Sequence, residues 1–458
     1  GGGEGGALQR RARAEALKAA TVAAMSTLRR STNQNLVVQV PNEIPRKFQQ
    51  LEAVSELLSD GGGAAVQVVR IPESKVVDRL VCQTALQPGV LTCLKKTIRQ
   101  GKGYAFVNIP VEREEDGGSY GELRRRFLDC VVIGYASCSD KEQPLHLNPE
   151  DSDTVVPGDK LVALARVSVM DHLQASQAEL LQQAALRAMR RVAQMSTDAV
   201  PGKKVVVVGW PPDTLGDLLR GFKGFAPPGT TITCVMPRLP DRHTLPKRLH
   251  DPDSISVSFL EREVTYSAED FLAAGVETCD TVVLGTPPNM SYPDNDSLVL
   301  SAMFQIQKVA ARARHRVHVV AKAHSVNTKQ VARQFFESLA NPHVSCEVII
   351  PNQMTSAVLT QVLWQPSIIH LITELMVASE GNELYILDIE QLGFHPGEKV
   401  IFAEIIEAGK LLQMSVLGLT RNGGLKPMLA VRADAVLTLR PRDKVVVVAD
   451  LVTNDEDN

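Results

Sequence analysis

Apolar residues in this chain fall into short unbroken runs that alternate with amphipathic stretches. The segment KKVVVVGW (203–210) reads as a buried strand, followed by a turn with two prolines and the helix DTLGDLLRGF, for which Asp213 is a natural N-cap. TTITCVM (230–236), SISVSFLERE (254–263), a short helix at 268–274, DTVVLGT (280–286), a helix over 296–314 and VHVVAK (317–322) continue the alternation. Strands that are apolar on both faces and separated by helices predict a doubly wound parallel sheet. The tail of the chain changes character. ELYILDI, GEKVIFAEIIEAGKLL, SVLGLTRNGG and DAVLTLRPRDKVVVVA, within 383–450, give short strands, turns and one helix, which predicts a small α+β lobe. DHLQASQAELLQQAALRAMRRVAQM (171–195) holds no Pro or Gly and is expected to be a helix linking two modules.

The pattern occurs twice. PGDKLVALA at Pro157–Ala165 returns as PRDKVVVVA at Pro441–Ala449, an offset of 284. VVRIPESKVVDRLVCQTALQPGVLTCLKKTI (68–98) matches EVIIPNQMTSAVLTQVLWQPSIIHLITELM (347–376) at offsets of 279 and 278, each with a strand, a Pro and a helix carrying Gln-Pro. LVVQVP (36–41) matches VHVVAK, and AEALKAATVAAMSTLRR (14–30) falls opposite SLVLSAMFQIQKVAARAR (297–314), so it reads as a crossover helix rather than a transit peptide. The second copy has about 95 residues ahead of this helix and the first about a dozen, so the first module is expected to be N-terminally truncated.

The expected division is a Gly-rich disordered start (1–13), the remainder of a first Rossmann-like domain (14–70), crossover helices (71–100), a first small α+β lobe (101–170) and a helical linker (171–200). A second Rossmann-like domain (201–350), crossover helices (351–380), a second small lobe (381–452) and an acidic tail (453–458) follow.

Composition narrows the class. The 458 residues suit roughly three domains, and 44% hydrophobic with 22% charged residues suits a soluble globular protein. Aromatics at 4% leave a core of Val, Leu, Ile and Ala, which favours parallel strands. A net charge of −3 gives no argument for nucleic acid or an anionic membrane. Seven scattered Cys without a CxxC pair argue against a disulfide framework or zinc site. No run approaches the roughly 18 apolar residues of a membrane span.

Catalytic patterns fail. Dinucleotide binding needs GxGxxG, but Pro211 stands at the second glycine and Thr214 at the third of Gly209-Trp210-Pro211-Pro212-Asp213-Thr214, and Met236-Pro237 replace the acidic residue after the second strand. No NAD is expected, and no serine elbow, zinc-protease or Walker motif is present. His315 and His318 read as surface or structural residues. Acidic oxygen donors for calcium gather at Asp294-Asn295-Asp296-Ser297, Glu150-Asp151-Ser152-Asp153, Glu380 with Asn382 and Glu383, and Glu112, Glu114, Glu115 and Asp116. Helix capping is the alternative reading of the first, a turn of the second and solvated loop charge of the last.

Gly209-Trp210 with Asp213, Asp294-x-Asp296-Ser297, SEGNE (379–383), LNPEDSDTVVPGD (147–159) and LQPGV (86–90), in this order on a repeated module, resemble the Castor/Pollux ion channels, which carry tandem RCK domains. The resemblance runs from about residue 14 to near the end. It implies two RCK-like modules, the gating portion of a ligand-regulated cation or potassium channel rather than an enzyme, and a homotetrameric ring below a membrane pore domain upstream of this chain. It also implies calcium sensing and a nuclear- or plastid-envelope location. The calcium ligands expected are Asp294 and Asp296, then Glu380 and Glu383. A regulatory subunit of a separate transporter is the alternative, with an NAD-binding enzyme and a ligand-free scaffold further off.

Overall fold

The protein is represented by a computed structural model. It describes residues 37–40, 69–98, 103–112, 117–140, 145–169, 173, 178–195, 200–240, 245, 255–287, 290–313, 315–339, 343–365, 368–376, 381–421, 423–424 and 426–451. The helix expected at 14–30 lies outside them. The chain forms two compact units, residues 1–73 with 362–366, and residues 74–361 with 367–458. In the first, strand β1 (Val37–Val40) pairs in parallel with β2 (Val69–Pro72).

Helix α1 (Glu73–Leu86), in the second unit from Ser74 on, and α2 (Val90–Ile98) form a hairpin about the turn Gln87-Pro88-Gly89. A lobe follows: β3 (Tyr104–Pro110), β4 (Gly118–Ser119), α3 (Tyr120–Arg124), β5 (Cys130–Ala136), β6 (Leu145–Leu147), β7 (Thr154–Val155) and β8 (Lys160–Arg166). Its sheet runs β3-β8-β5-β6, all antiparallel, beside a β4–β7 pair. Helix α4 (Ala178–Val192) then leads to the large sheet.

That sheet comprises β9 (Lys204–Val208), β10 (Thr230–Met236), β11 (Ile255–Glu261), β12 (Thr281–Leu284), β13 (Val317–Lys322) and β14 (Val344–Ile349). Between them lie α5 (Pro212–Phe225), α6 (Ala268–Ala273), α7 (Tyr292–Ala310) and α8 (Val326–Ser338). All pairings are parallel and the order is β11-β10-β9-β12-β13-β14. Counted from β9, this is the 3-2-1-4-5-6 order of a doubly wound fold. The central strand β9 shows why the sequence chose it: Val205 to Val208 are all buried, so neither face can meet water. Asp213 does not cap α5. Pro211 takes the N-cap position without a side-chain bond, because Pro212 fixes the first helical φ, and Asp213 lies exposed in the first turn.

After α9 (Pro351–Trp364) and α10 (Ile368–Met376), the second lobe contains β15 (Glu383–Asp388), β16 (Lys399–Ile401), α11 (Phe402–Leu411), β17 (Met414–Arg421), β18 (Lys426–Leu429), β19 (Val436–Thr438) and β20 (Lys444–Ala449). Its sheet runs β15-β20-β17-β18 beside a β16–β19 pair, the same connection pattern as the first lobe. The repeat extends to an irregularity. The register of β5 on β8 slips between Val132 and Gly134, and that of β17 on β20 between Val416 and Gly418. The two glycines are 284 residues apart, the offset of the sequence repeat. Each lets a neighbouring strand approach: a Cβ on Gly134 would stand 2.1 Å from the His146 carbonyl oxygen, and one on Gly418 would stand 2.3 Å from that of Met428.

The expected linker helix α4 is no bare connector. Its buried face of Leu181, Ala184 and Ala188 packs on α11, where small residues permit close approach. Arg187 bonds Glu404 (2.9 Å) and Arg191 bonds Glu398 (2.7 Å) while its guanidinium lies over Phe394. Gly134→Ala is expected to cost about 1–3 kcal/mol, since the clash is with backbone that cannot rotate away. Urea unfolding of the variant checks this, and an unchanged midpoint would remove the bulge from the reasons for that glycine.

Candidate functional site

In doubly wound sheets the ligand crevice opens at the carboxyl ends of the strands where the order reverses, here between β9 and β12. Residues of the chain itself fill this one. Gly209 has φ +68°, and a Cβ there would stand 1.9 Å from the Tyr266 hydroxyl. Tyr266 donates to the Gly285 carbonyl (3.0 Å) and is buried. Tyr266 itself holds a positive φ of 58°. The Asp270 carboxylate fixes it on both sides, accepting from the N–H and hydroxyl of Thr265 and completing a capping box with Ser267. Trp210 is buried against Gly285, and Lys322 sits over its ring at 4.1 Å while bonding Asp78 of α1 at 2.8 Å. Sequence reasoning identified the broken glycine motif but not Tyr266, which lies 57 residues downstream with no motif to mark it.

Three of the expected calcium ligands, Asp294, Asp296 and Glu383, lie among the described residues, each with its own partners. Asp294 is exposed in the first turn of α7, where Ser291 caps the helix and also donates to the Asp294 carboxylate. Asp296, two residues on, faces inward. It accepts from the N–H of His324 (2.8 Å), the N–H of Ser325 (2.8 Å) and the hydroxyl of Thr328 (2.7 Å), and so holds the start of α8. Glu383 is fully buried on β15, pairs with Arg79 and accepts from the Tyr385 hydroxyl at 3.0 Å. Glu380 lies outside the described residues. Among the described residues no three His, Cys, Asp or Glu side chains converge as a metal site. Asp296 has both oxygens on protein donors, and Glu383 faces Arg79 and Tyr385.

His315 and His318 are structural, as expected. His315 Nε2 lies 2.8 Å from the Cys279 carbonyl, and His318 Nδ1 lies 3.0 Å from the Ser345 hydroxyl.

The polar groups that do converge join the repeats. The α1–α2 turn lies on the second sheet and lobe. Thr281 donates to the Ala85 carbonyl (2.7 Å), the Ile386 N–H to Gln87 Oε1 (2.7 Å), and Lys203 to the Leu86 carbonyl. Gly89 and Gly424 meet backbone to backbone; a Cβ on either would strike the other's segment near 2 Å. LQPGV is thus a contact motif.

The LNPED segment makes the second junction. Arg124 forks onto Asp151 (2.7 and 2.8 Å) and Glu407 (2.8 and 2.9 Å), and Arg125 onto Glu407 (3.0 and 2.8 Å) with a bond to Asp151 (2.9 Å). Asn148, in the left-handed region, offers its Oδ1 to Ser415 (3.1 Å) and Lys410 (3.3 Å). Arg432 bonds Asp129 (2.8 Å), and the Ala433 N–H bonds the Leu128 carbonyl (2.9 Å). The acidic run 150–153 is therefore a turn that presents Asp151 to the arginines. Burial pushes the Glu407 carboxyl up, but the bonds from Arg125 and Arg124 outweigh it and hold it below the usual range.

Two tests follow from this geometry. Glu407→Gln leaves two arginines facing a neutral amide and is expected to cost about 3 kcal/mol at pH 7. Because the folded Glu407 titrates low, its contribution is complete above about pH 4.3 and is lost as pH falls through the folded value. Acid unfolding should therefore be shallower in the variant, and equal acid slopes would remove Glu407 from the clamp. Asp296→Ala takes a buried carboxylate from three donors, of which Thr328 is buried, and is expected to cost about 3 kcal/mol in urea unfolding, against under about 1 kcal/mol for Asp294→Ala. Equal losses would contradict the division of roles.

The family described as "Castor and Pollux, part of voltage-gated ion channel" matches residues 74–180. No curated protein matches the sequence. The solved structure of the human SLO3 gating ring is similar over 92% of this chain and 82% of its own, with 14% identity and a TM-score of 0.58, which shows a shared fold. The A domain of carboxylic acid reductase from Segniliparus rugosus is similar over 63% of this chain and 35% of its own at 10% identity, but a TM-score of 0.20 carries no argument. The family match falls on the α1–α2 hairpin, the first lobe and the start of α4, and the likeness to a gating ring is a likeness of fold over most of the chain.

Proposed function

We propose that the chain is the gating-ring portion of a ligand-regulated cation channel. The observation that carries this reading is the joining of repeated lobes and a doubly wound sheet by buried polar junctions, on a fold shared with a gating ring. Such a body moves as linked parts, which is what transmission to a pore requires. In this reading the chain regulates and does not catalyse. Four copies form a ring beneath a pore domain in a nuclear- or plastid-envelope membrane. Among the described residues no helix is long and apolar enough to cross a membrane.

Calcium is the ligand we propose first, from the family resemblance. To turn a gate from 1:99 to 99:1, a ligand must favour the open state about 10⁴-fold, and several sites around a ring can share that demand. The test is sedimentation velocity and thermal melting of the whole chain with calcium or EGTA. The expected results are a particle of four chains and a saturable rise in stability, about 2.7 kcal/mol at 100 Kd. The rise should persist in Asp294→Ala, since Asp294 has no converging partners among the described residues. A monomer indifferent to calcium would sink both the ring and the ligand. Loss of the rise in Asp294→Ala would return that residue to the site.

A further inference from the structure

The two lobes and α4 leave a half-open cleft where they meet, and the proposed function does not use it. It encloses about 490 Å³ between its walls, part of it open to solvent, which is in the range of small-molecule sites. Only about 30 Å³ of it can take the centre of a water molecule, so the seam is narrow. Its lining is of two kinds. Leu181 of α4, Phe127 of the first lobe, and Ile406, Met414 and Val416 of the second are apolar. Arg124, Arg125 and Lys410 bring three cations to it against a single carboxylate, Glu407. The arginines are matched by Glu407 within the cleft and by Asp151 outside its lining. Lys410 is placed differently. Its Nζ bonds the Pro149 carbonyl and reaches the carbonyl oxygen and Oδ1 of Asn148 at 3.3 Å each, all neutral acceptors. Asp151, Glu150 and Asp153 act on it at longer range, from outside the lining. The Ser415 hydroxyl, also in the lining, donates to the same Asn148 Oδ1 at 3.1 Å.

A purely apolar molecule in this cleft would gain nothing from the cations, and a purely polar anion would leave the apolar lining wet. A molecule with an anionic head and a short hydrocarbon chain answers both. We propose that the cleft is a ligand site for a small amphipathic anion, of the class of medium-chain carboxylates, with its head on Lys410 and its chain along Leu181, Ile406 and Met414. An anionic oxygen is a stronger acceptor for an ammonium than a neutral oxygen at 3.3 Å, so the head takes the donor from Asn148 and the arginine forks stay closed. Each methylene moved from water onto the lining strengthens binding about fourfold. The ligand touches α4 and both lobes at once, and the narrow seam must part to admit it, so its binding is linked to how the lobes sit. The site stands apart from the calcium reading, and either can fail alone.

The test is calorimetric titration of the whole chain with octanoate, hexanoate and 1-octanol. The expected result is saturable binding of octanoate, about tenfold weaker binding of hexanoate, and no saturable binding of the alcohol, which has the chain without the charge. Ile406→Glu places a carboxylate on the apolar lining, and Lys410→Met removes the ammonium and keeps an apolar stem. Each is expected to weaken octanoate by about tenfold or more. No saturable octanoate binding by the wild type, equal binding of the alcohol, or unchanged affinity in either folded variant overturns the site. If neither variant folds, hydrogen exchange of the wild type decides. Protection gained with octanoate over 120–127 and 402–416 supports the site, and protection confined to other peptides, or none, overturns it.

Discussion

The arrangement of the two lobes depends on one pair of arginines taken out of water. Arg124 and Glu407 are almost wholly buried, and Arg125 and Asp151 close over them. Removing a guanidinium from solvent costs several kcal/mol, which only a matched fork of acceptors recovers. The two carboxylates supply that fork, one from each lobe, so neither lobe alone offers the arginines a complete set of partners. The apolar contact of Leu128, Leu181, Ala184, Ala403 and Ala433 adds burial without direction. The ionic cluster adds direction, because a rotation of about an ångström at a bidentate bond loses both of its hydrogen bonds.

The hairpin of α1 and α2 joins the parts by another means. It offers the second sheet main-chain groups: the carbonyls of Ala85 and Leu86 and the N–H of Gly89. Backbone contacts tolerate side-chain change but not displacement, and the Gly89–Gly424 approach leaves no room for a Cβ. The lobe junction is thus held by charge and the hairpin junction by shape and peptide groups. A force applied to the first lobe reaches the second sheet through elements that cannot slide independently.

Much of this was legible in the sequence. The runs of Val at 205–208 and 445–448 named their strands, since no other element buries four consecutive apolar residues so readily, and the 284-residue offset announced the second lobe. Helix α8 was harder to see: VNTKQVARQFFES has a mixed pattern, and Ser325, its cap, looks like any loop serine. The site was read less well than the fold. Asp294 and Asp296 share a motif, but helical geometry turns one outward and the other into the protein, where three donors take it. Composition shows which oxygens exist; it does not show which are already spent. Likewise LNPED reads as a loose acidic turn until Arg124 and Arg125, two dozen residues earlier, are placed against it.

The repeated lobes share a bulge at Gly134 and Gly418, yet they divide the clamp unequally. At the 284-residue offset, Ala408 and Gly409 stand where the first lobe has Arg124 and Arg125, and Leu123 stands where the second has Glu407. Duplication supplied two bodies of one shape, and a handful of substitutions gave them opposite polarity. Two first lobes brought face to face would confront arginine with arginine, and two second lobes glutamate with glutamate. Each lobe thus supplies what its sibling lacks, and the specificity of their pairing lies in a few side chains laid on one shared shape.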